Sequence, residues 1–170
     1  MDDIEDNSVL RRGSPSAHNI FGVATTLNTA NYVYFLALEK IIKQFPEPVV
    51  NQAVEIFTQQ MIQLHRGQGL DIHWRDTFQC PTEEEYIEMI KRKTGGLFNM
   101  GVRMMELFAQ NNQRDFSHLV QLMGQFFQIR DDYANLFSHE VRTGVQRVCL
   151  MTDSEFTEHT ITVMTFLVCR

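Results

Sequence analysis

The stretch over residues 48–74, PVVNQAVEIFTQQMIQLHRGQGLDIHW, constrains the fold more than any other part of the chain. Its apolar residues recur at helical spacing, for example at Val54, Phe57, Met61 and Leu64. The chain contains only four prolines, and it shows no regular alternation of apolar and polar residues of the kind that strands require. The sequence therefore predicts an all-α fold.

Proline and capping signals indicate where the other long helices begin and end. An apolar stretch that begins near Val23 is stopped by Pro46 and Pro48. Thr82, with Glu85 three residues later, forms a capping box that predicts the start of the next helix. One long helix is therefore expected on each side of the first stretch.

The remaining segments predict shorter or less regular structure. Residues 2–6 should form the end of a helix, and residues 11–15 a loop after it. The glycines at positions 95 and 96 should loosen the helix that Thr82 opens, and a last helix should end near Ser138. We expect one domain part over residues 1–139, and a divergent, poorly ordered tail over residues 140–170 that has no clear helical period.

The composition excludes several classes of function. A formal net charge of −6 argues against nucleic-acid binding. Cys80, Cys149 and Cys169 are far apart, which argues against a zinc site and a disulfide framework and fits a reducing compartment. The acidic first residues do not form a signal peptide, and no apolar run reaches the roughly 18 residues of a membrane span. These observations predict a cytoplasmic protein.

An acidic cluster, DDIED, lies at the start of the chain. On a helix, Asp2 and Asp6 share one face about 5–6 Å apart, with Asp3 beside them. Mg²⁺ commonly takes one or two carboxylates together with substrate phosphates, so this pair could bind it. The alternative is a solvated acidic helix end.

Two arginines follow the acidic cluster and favour the first interpretation. Arg11 and Arg12 are adjacent, and a guanidinium matches a phosphate group through two parallel hydrogen bonds. Acids that collect Mg²⁺ beside arginines that grip phosphate describe a metal–diphosphate site. The same charges would stabilise a diphosphate that departs as a leaving group.

A second acidic cluster lies in FFQIRDDYANLF. Asp131 and Asp132 follow apolar residues on a helix that should be packed, where unpaired carboxylates are costly. Metal sites in helical bundles use such acids from facing helices, so the two clusters could share a site. The alternative is a surface arrangement in which Asp131 pairs with Arg130. Weaker polar signals lie between the clusters, at Gln68, Asp71, Lys93 and Thr94.

Several motifs together resemble the chain-elongating trans-prenyltransferases, also called polyprenyl synthases. The motifs are DDIED, RRG four residues later, GQGLDIHWRD, CPTEEEY, KTGGLF and FFQIRDDYANL. They occur in the family's order and spacing from Asp2 to Ser138, and they most resemble the geranylgeranyl diphosphate synthase branch in animals. The resemblance implies an all-α isoprenoid-synthase-type bundle, present here in part. It also implies transfer of a farnesyl-type allylic group to isopentenyl diphosphate, which gives geranylgeranyl diphosphate.

The resemblance implies a role for each polar residue named above. Mg²⁺ is the implied cofactor, with Asp2, Asp3, Asp6, Asp131 and Asp132 as its ligands. The implied substrate-binding residues are Arg11 for the allylic diphosphate, Arg12 for isopentenyl diphosphate, and Gln68, Asp71, Lys93, Thr94 and Gln128 around the site. The implied catalytic groups are Asp2, Asp6, Lys93 and Asp131.

The resemblance also implies further segments on both sides, and we expect this chain to lack them. Family members have helices before the first acidic motif and a lysine-bearing loop after the second. We therefore expect the isolated chain to have little or no synthase activity. The competing hypothesis is an impaired short form that binds magnesium diphosphate weakly, or docks on a second copy or a full-length synthase. A third is a generic helical interaction module.

Overall fold

The computed structural model describes residues 1–110 and 114–137, with the side chains of all of these except residues 134–137. Over these residues the elements are α1 (Asp2–Glu5), β1 (Leu10–Arg11), β2 (Ser14–Pro15), α2 (Ala17–Phe21), α3 (Val23–Gln44), α4 (Glu47–Thr77), α5 (Glu83–Glu106) and α6 (Ser117–Phe137). The predicted all-α class is confirmed. The predicted boundary at residue 139 and the tail after it lie outside the described residues. The chain divides into two compact units, Met1–Glu55 and the part from Ile56 onward.

A tight hairpin in the first unit replaces the loop that was predicted over residues 11–15. Leu10 pairs with Pro15 and Arg11 with Ser14 in an antiparallel register. The two residues between the strands, Arg12 and Gly13, have φ of 52° and 80°. Positive φ at both central positions is what a two-residue type I′ turn requires. The prediction of a loop was therefore wrong, and the turn places Arg12 at an exposed tip.

Ser16 fastens this hairpin to the start of α2. Its side chain is fully buried, its hydroxyl donates to the Ser8 carbonyl at 2.6 Å, and its amide donates to the Val9 carbonyl at 3.0 Å. Asn19 Nδ2 donates in turn to Ser16 Oγ at 2.7 Å. Because these bonds satisfy buried polar atoms, they hold the segment that carries the arginines at a fixed place beside α2.

Helix α3 contributes no buried residue to the first unit. Its exposed large apolar side chains are Val23, Leu27, Tyr32, Val33, Phe35, Leu36 and Ile42. Exposed apolar surface on this scale is characteristic of an interaction surface. A long helix also gains most of its stability from packing of an apolar face rather than from propensity.

The second unit has its core between α4, α5 and α6. Trp74, Tyr86, Met89 and Ile90 are buried together there, and Ile129 of α6 packs against them. The predicted capping box at the start of α5 is present: Thr82 Oγ1 accepts from the Glu85 amide, and the Glu85 carboxylate accepts from the Thr82 amide. In the described part of the chain, no helix is long and apolar enough to cross a membrane.

Glycines allow the three helices of the second unit to approach closely. A Cβ on Gly67 of α4 would lie 2.5 Å from the backbone nitrogen of Lys93 on α5. A Cβ on Gly124 of α6 would lie 2.8 Å from the Cα of Gly95. The expectation that Gly95 and Gly96 loosen α5 was wrong, since the helix runs without a break from Glu83 to Glu106. At Gly67 and Gly124 the missing side chain allows close backbone packing.

Candidate active site

In the first acidic cluster, Arg11 lies close to two of the carboxylates. The Asp6 amide donates to the Asp2 carbonyl at 2.9 Å, so these two residues are one helical turn apart, as expected. Arg11 Nη1 lies 3.0 Å from Asp3 Oδ1 and 3.8 Å from Asp2 Oδ2. The Arg11 side chain is 54% exposed, and exposed ion pairs of this kind contribute at most about 1 kcal/mol. A metal ion or a phosphate could therefore replace either partner.

Tyr34 of α3, which was not among the predicted site residues, is close enough to the same acids for their charge to act on it. Burial raises the pKa of the Tyr34 phenol above its ordinary value of 10.0, and the negative charges of Glu5 and Asp2 raise that pKa further. A phenolate close to these carboxylates would be destabilised. The negative charge of the first cluster therefore adds to the effect of burial on the pKa of Tyr34.

We predict that Tyr34 loses its proton above its ordinary pKa of 10.0, and that Glu5→Gln lowers this pKa part of the way back. Because the folded-state pKa is raised, the stabilisation is complete below the unfolded value of 10.0 and is lost as the pH rises through the folded-state value. The phenolate absorbance of the chain, minus that of Tyr34→Phe, measures this titration. Glu39→Gln is the control, and equal Tyr34 titrations with and without Glu5→Gln would contradict the prediction.

In the second unit, Asp71 of α4 and Lys93 of α5 form a half-buried ion pair. Lys93 Nζ donates to Asp71 Oδ2, and the two side chains are 12% and 22% exposed. Gln68, one turn before Asp71, is buried. The close approach at Gly67 brings the backbone of Lys93 against α4. Gln68, Asp71 and Lys93, whose signals in the sequence were weak, are therefore neighbours in the structure.

A hydrogen-bonded chain joins α5 to α6 beside this ion pair. Thr94 Oγ1 donates to Gln128 Oε1, and Gln128 Nε2 donates to Asp132 Oδ1 at 2.9 Å. The Tyr86 hydroxyl donates to Asp132 Oδ2 at 2.7 Å. Tyr86, the last residue of the CPTEEEY motif, was not among the predicted site residues.

The two adjacent acids of the second cluster have opposite environments. Asp131 is 55% exposed, and its Oδ1 lies 3.0 Å from Arg130 Nη2. This ion pair is the surface arrangement that the sequence left open as an alternative. Asp132 is 8% exposed, and both of its oxygens accept hydrogen bonds from other buried side chains. Helical rotation explains the difference, since consecutive residues point in directions about 100° apart.

The carboxylates fit Mg²⁺ by their chemistry. No three acidic, histidine or cysteine side chains among residues 1–110 and 114–137 converge on a metal position by themselves. Mg²⁺ does not need such a cage, because it binds one or two carboxylates and completes its shell with phosphate oxygens and water. Accessible carboxylates of this kind are present at Asp3 in the first unit and Asp131 in the second.

The predicted residues are grouped within each unit. The first unit brings Asp2, Asp3 and Arg11 together, with Asp6 one turn from Asp2 and Arg12 at the hairpin tip. The second unit joins Asp71 to Lys93, and Thr94 to Gln128 and Asp132. A common cavity for the carboxylates of Asp2 and Asp131 stays a prediction, as do the individual roles of these residues.

Comparison with known proteins finds a family that matches most of the chain. The sequence profile of the family described as polyprenyl synthetase matches residues 1–168. A geranylgeranyl pyrophosphate synthase of Aspergillus flavus is 56% identical over 138 residues, which are 81% of this chain and 39% of that protein. One of Apiospora sacchari is 56% identical over 138 residues, 81% of this chain and 40% of that protein.

A third relative carries a different name. A terpene synthase of Matsumurasca onukii is 53% identical over 141 residues, which are 82% of this chain and 45% of that protein. The chain thus spans less than half the length of the three relatives. Because the family profile covers nearly all of the 170 residues, the match does not depend on a single motif. The chain belongs to the polyprenyl synthetase family.

Proposed function

We propose that this chain carries part of a prenyltransferase site, which transfers a farnesyl-type allylic group to isopentenyl diphosphate and so gives geranylgeranyl diphosphate. The observation that carries the proposal is the polar cluster of the second unit. There Lys93 and Thr94, adjacent on α5, meet Asp71 of α4 and Gln128 of α6. The product is inferred from the names of the two fungal relatives.

In the proposed reaction, side chains of the chain itself hold the allylic diphosphate. Lys93 provides positive charge where the carbon–oxygen bond breaks, and Gln128 and Thr94 provide polar atoms beside it. Such preorganised groups stabilise the charge that develops on a departing diphosphate. Arg11 would contact an allylic diphosphate by leaving its exposed pair with Asp3, and Arg12, at the hairpin tip, would contact isopentenyl diphosphate.

We propose Mg²⁺ as the cofactor, held by oxygen atoms of the two acidic clusters. The proposed ligands are Asp2, Asp3 and Asp6 in the first unit and Asp131 in the second. When bound, Mg²⁺ supplies charge neutralisation and Lewis acidity at the diphosphate oxygens. The exposed pairs of Arg11 with Asp3 and of Arg130 with Asp131 are weak enough to yield these carboxylates.

Two measurements on the purified chain test the proposal. The first is calorimetric titration with farnesyl diphosphate, with and without Mg²⁺, and we expect binding that requires the metal. The second is product formation from radiolabelled isopentenyl diphosphate and farnesyl diphosphate. Because near-attack positioning of two substrates is worth about 7–11 kcal/mol, and the chain spans less than half of its relatives, we expect turnover far below that of a full-length synthase.

The outcomes separate the hypotheses that the sequence left open. Magnesium-dependent product of twenty carbons supports prenyl transfer, and turnover as fast as a full-length synthase would contradict the expected impairment. Metal-dependent binding without product supports the impaired short form. No binding of farnesyl diphosphate or inorganic pyrophosphate at any Mg²⁺ concentration would leave only a helical interaction module.

We also propose that α3 is covered by a second copy of the chain or by a full-length synthase chain. The support is its length of 22 residues without a buried side chain. Light scattering after size-exclusion chromatography should give a mass above that of one chain. Phe35→Gln should lower this mass, whereas the same change at the exposed Phe78, outside α3, should not. If the unmodified chain were a monomer, and Phe35→Gln left its stability unchanged, this proposal would be contradicted.

For the location we propose the cytoplasm, where dispersed cysteines stay reduced. Cys80, Cys149 and Cys169 are too far apart in the sequence to form a short metal-binding motif. Fluorescence microscopy of the tagged chain tests this location, and a signal confined to membrane-bound compartments would contradict it.

A further inference from the structure

In the hydrogen-bonded chain between α5 and α6, every bond points from its donor toward the carboxylate of Asp132. The Tyr86 hydroxyl and Gln128 Nε2 both donate to Asp132, at 2.7 and 2.9 Å, and Thr94 Oγ1 donates to Gln128 Oε1. Tyr86 is fully buried, and Gln128 and Asp132 are each 8% exposed. Buried polar atoms that are paired in this way define a unique arrangement of their side chains.

The carboxylate of Asp132 determines which atoms donate and which accept in these hydrogen bonds. Both carboxylate oxygens of Asp132 accept hydrogen bonds, so Gln128 turns its amide nitrogen, the donor, toward Asp132. The amide oxygen of Gln128 then faces Thr94, and Thr94 must donate its single hydroxyl hydrogen to it. Without the carboxylate, the amide of Gln128 could adopt either of two orientations that differ by a half-turn.

We propose that Asp132 is a positioning residue rather than a Mg²⁺ ligand, and that Tyr86 anchors it. Asp132 fixes Gln128 so that the second Nε2 hydrogen, for which the described residues offer no acceptor, is left for a diphosphate oxygen. Thr94 then assists by holding the amide of Gln128, since its own hydrogen is already donated. This inference rests on the proposed function, because it assumes that a diphosphate binds beside Gln128.

The contrast with Asp131 supports the assignment. Asp132 would have to give up two hydrogen bonds inside the protein to reach a metal, and the buried Tyr86 hydroxyl would lose this acceptor. Asp131 gives up only an exposed ion pair with Arg130. Of the two adjacent acids, the exposed one is thus available to Mg²⁺, and the buried one orients Gln128.

Calorimetry on Tyr86→Phe and Asp132→Asn tests this assignment. At saturating Mg²⁺, we expect farnesyl diphosphate to bind each variant about 3- to 10-fold more weakly, the effect of one hydrogen bond. At a fixed concentration of farnesyl diphosphate, the Mg²⁺ concentration at half-saturation should stay within about twofold of wild type, whereas Asp131→Asn should raise it about tenfold or more. Tyr32→Phe and Asp76→Asn are exposed controls and should change neither value.

A second readout needs no ligand. In protein labelled with ¹⁵N-glutamine, the Gln128 side-chain amide signal, assigned by its loss in Gln128→Ala, should shift in both Tyr86→Phe and Asp132→Asn. It should not shift in Tyr32→Phe. An unmoved signal in both test variants would overturn the inference, even if one variant were unstable.

Other outcomes distinguish a failed inference from a failed function. A tenfold rise of the Mg²⁺ midpoint in Asp132→Asn would make Asp132 a metal ligand and overturn the inference. A lower melting temperature with unchanged affinity would assign Tyr86 and Asp132 to stability only, and would also overturn it. If the wild-type chain binds no farnesyl diphosphate, the proposed function fails, and with it this role of Gln128, whatever the amide signals show.

Discussion

Gly67→Ala should destabilise the second unit strongly and weaken diphosphate binding at the same time. The added Cβ would lie 2.5 Å from the backbone nitrogen of Lys93 and 2.9 Å from its Cα and Cβ. Backbone atoms cannot move aside like the end of a flexible side chain, so α4 and α5 must separate. Overpacking of this kind costs about 1–3 kcal/mol. It also displaces the residue that is proposed to hold the diphosphate.

Gly69→Ala is the matched control for this prediction. Gly69 is on the same helix, and a Cβ there would meet nothing within 4 Å. Because alanine favours a helix over glycine by about 1 kcal/mol, Gly69→Ala should stabilise the chain slightly. Urea unfolding and titration with farnesyl diphosphate at saturating Mg²⁺ measure the two effects. If Gly67→Ala were as stable as Gly69→Ala, α4 and α5 could not be packed as closely as described.

Helix positions could be predicted because their signals are local. Proline at positions 46 and 48, and the capping box from Thr82 to Glu85, act within a few residues and indicated helix ends correctly. The roles of the glycines could not be predicted from local rules. Gly95 and Gly96 were expected to loosen α5, but the helix is continuous there, and Gly124 of α6 has no room for a Cβ because it packs against the backbone of Gly95.

Some site residues could be predicted from the sequence and others could not, because motifs are local whereas contacts depend on how the helices pack. Charged groups such as Asp71 and Lys93 could be selected from their motifs, yet their pairing depends on how α4 and α5 pack. The opposite environments of Asp131 and Asp132 depend on the rotation of α6, which the sequence alone does not fix to one residue. Tyr86 was missed because only its hydroxyl contacts a predicted site residue, whereas its ring is part of the hydrophobic core.

Lys93→Met should nearly abolish diphosphate binding, the largest effect on the ligand that we expect. Methionine keeps much of the length of the side chain and removes the positive charge. Lost cationic or hydrogen-bonding groups that stabilise a developing anion typically cost about 3–4 kcal/mol, which corresponds to a several-hundredfold loss. Lys91→Met is the matched control, since Lys91 is on the same helix and pairs only loosely with Glu88, at 3.8 Å.

Lys93→Met should also destabilise the fold, because it leaves the half-buried carboxylate of Asp71 without its partner. The double variant Asp71→Asn/Lys93→Met separates the two effects. Because the asparagine side chain carries no charge, the double variant should regain stability in urea unfolding relative to Lys93→Met. Its affinity for farnesyl diphosphate should stay low, because the cation is still missing. If affinity returned together with stability, Lys93 would act only on the fold, and its assignment to the diphosphate would be wrong.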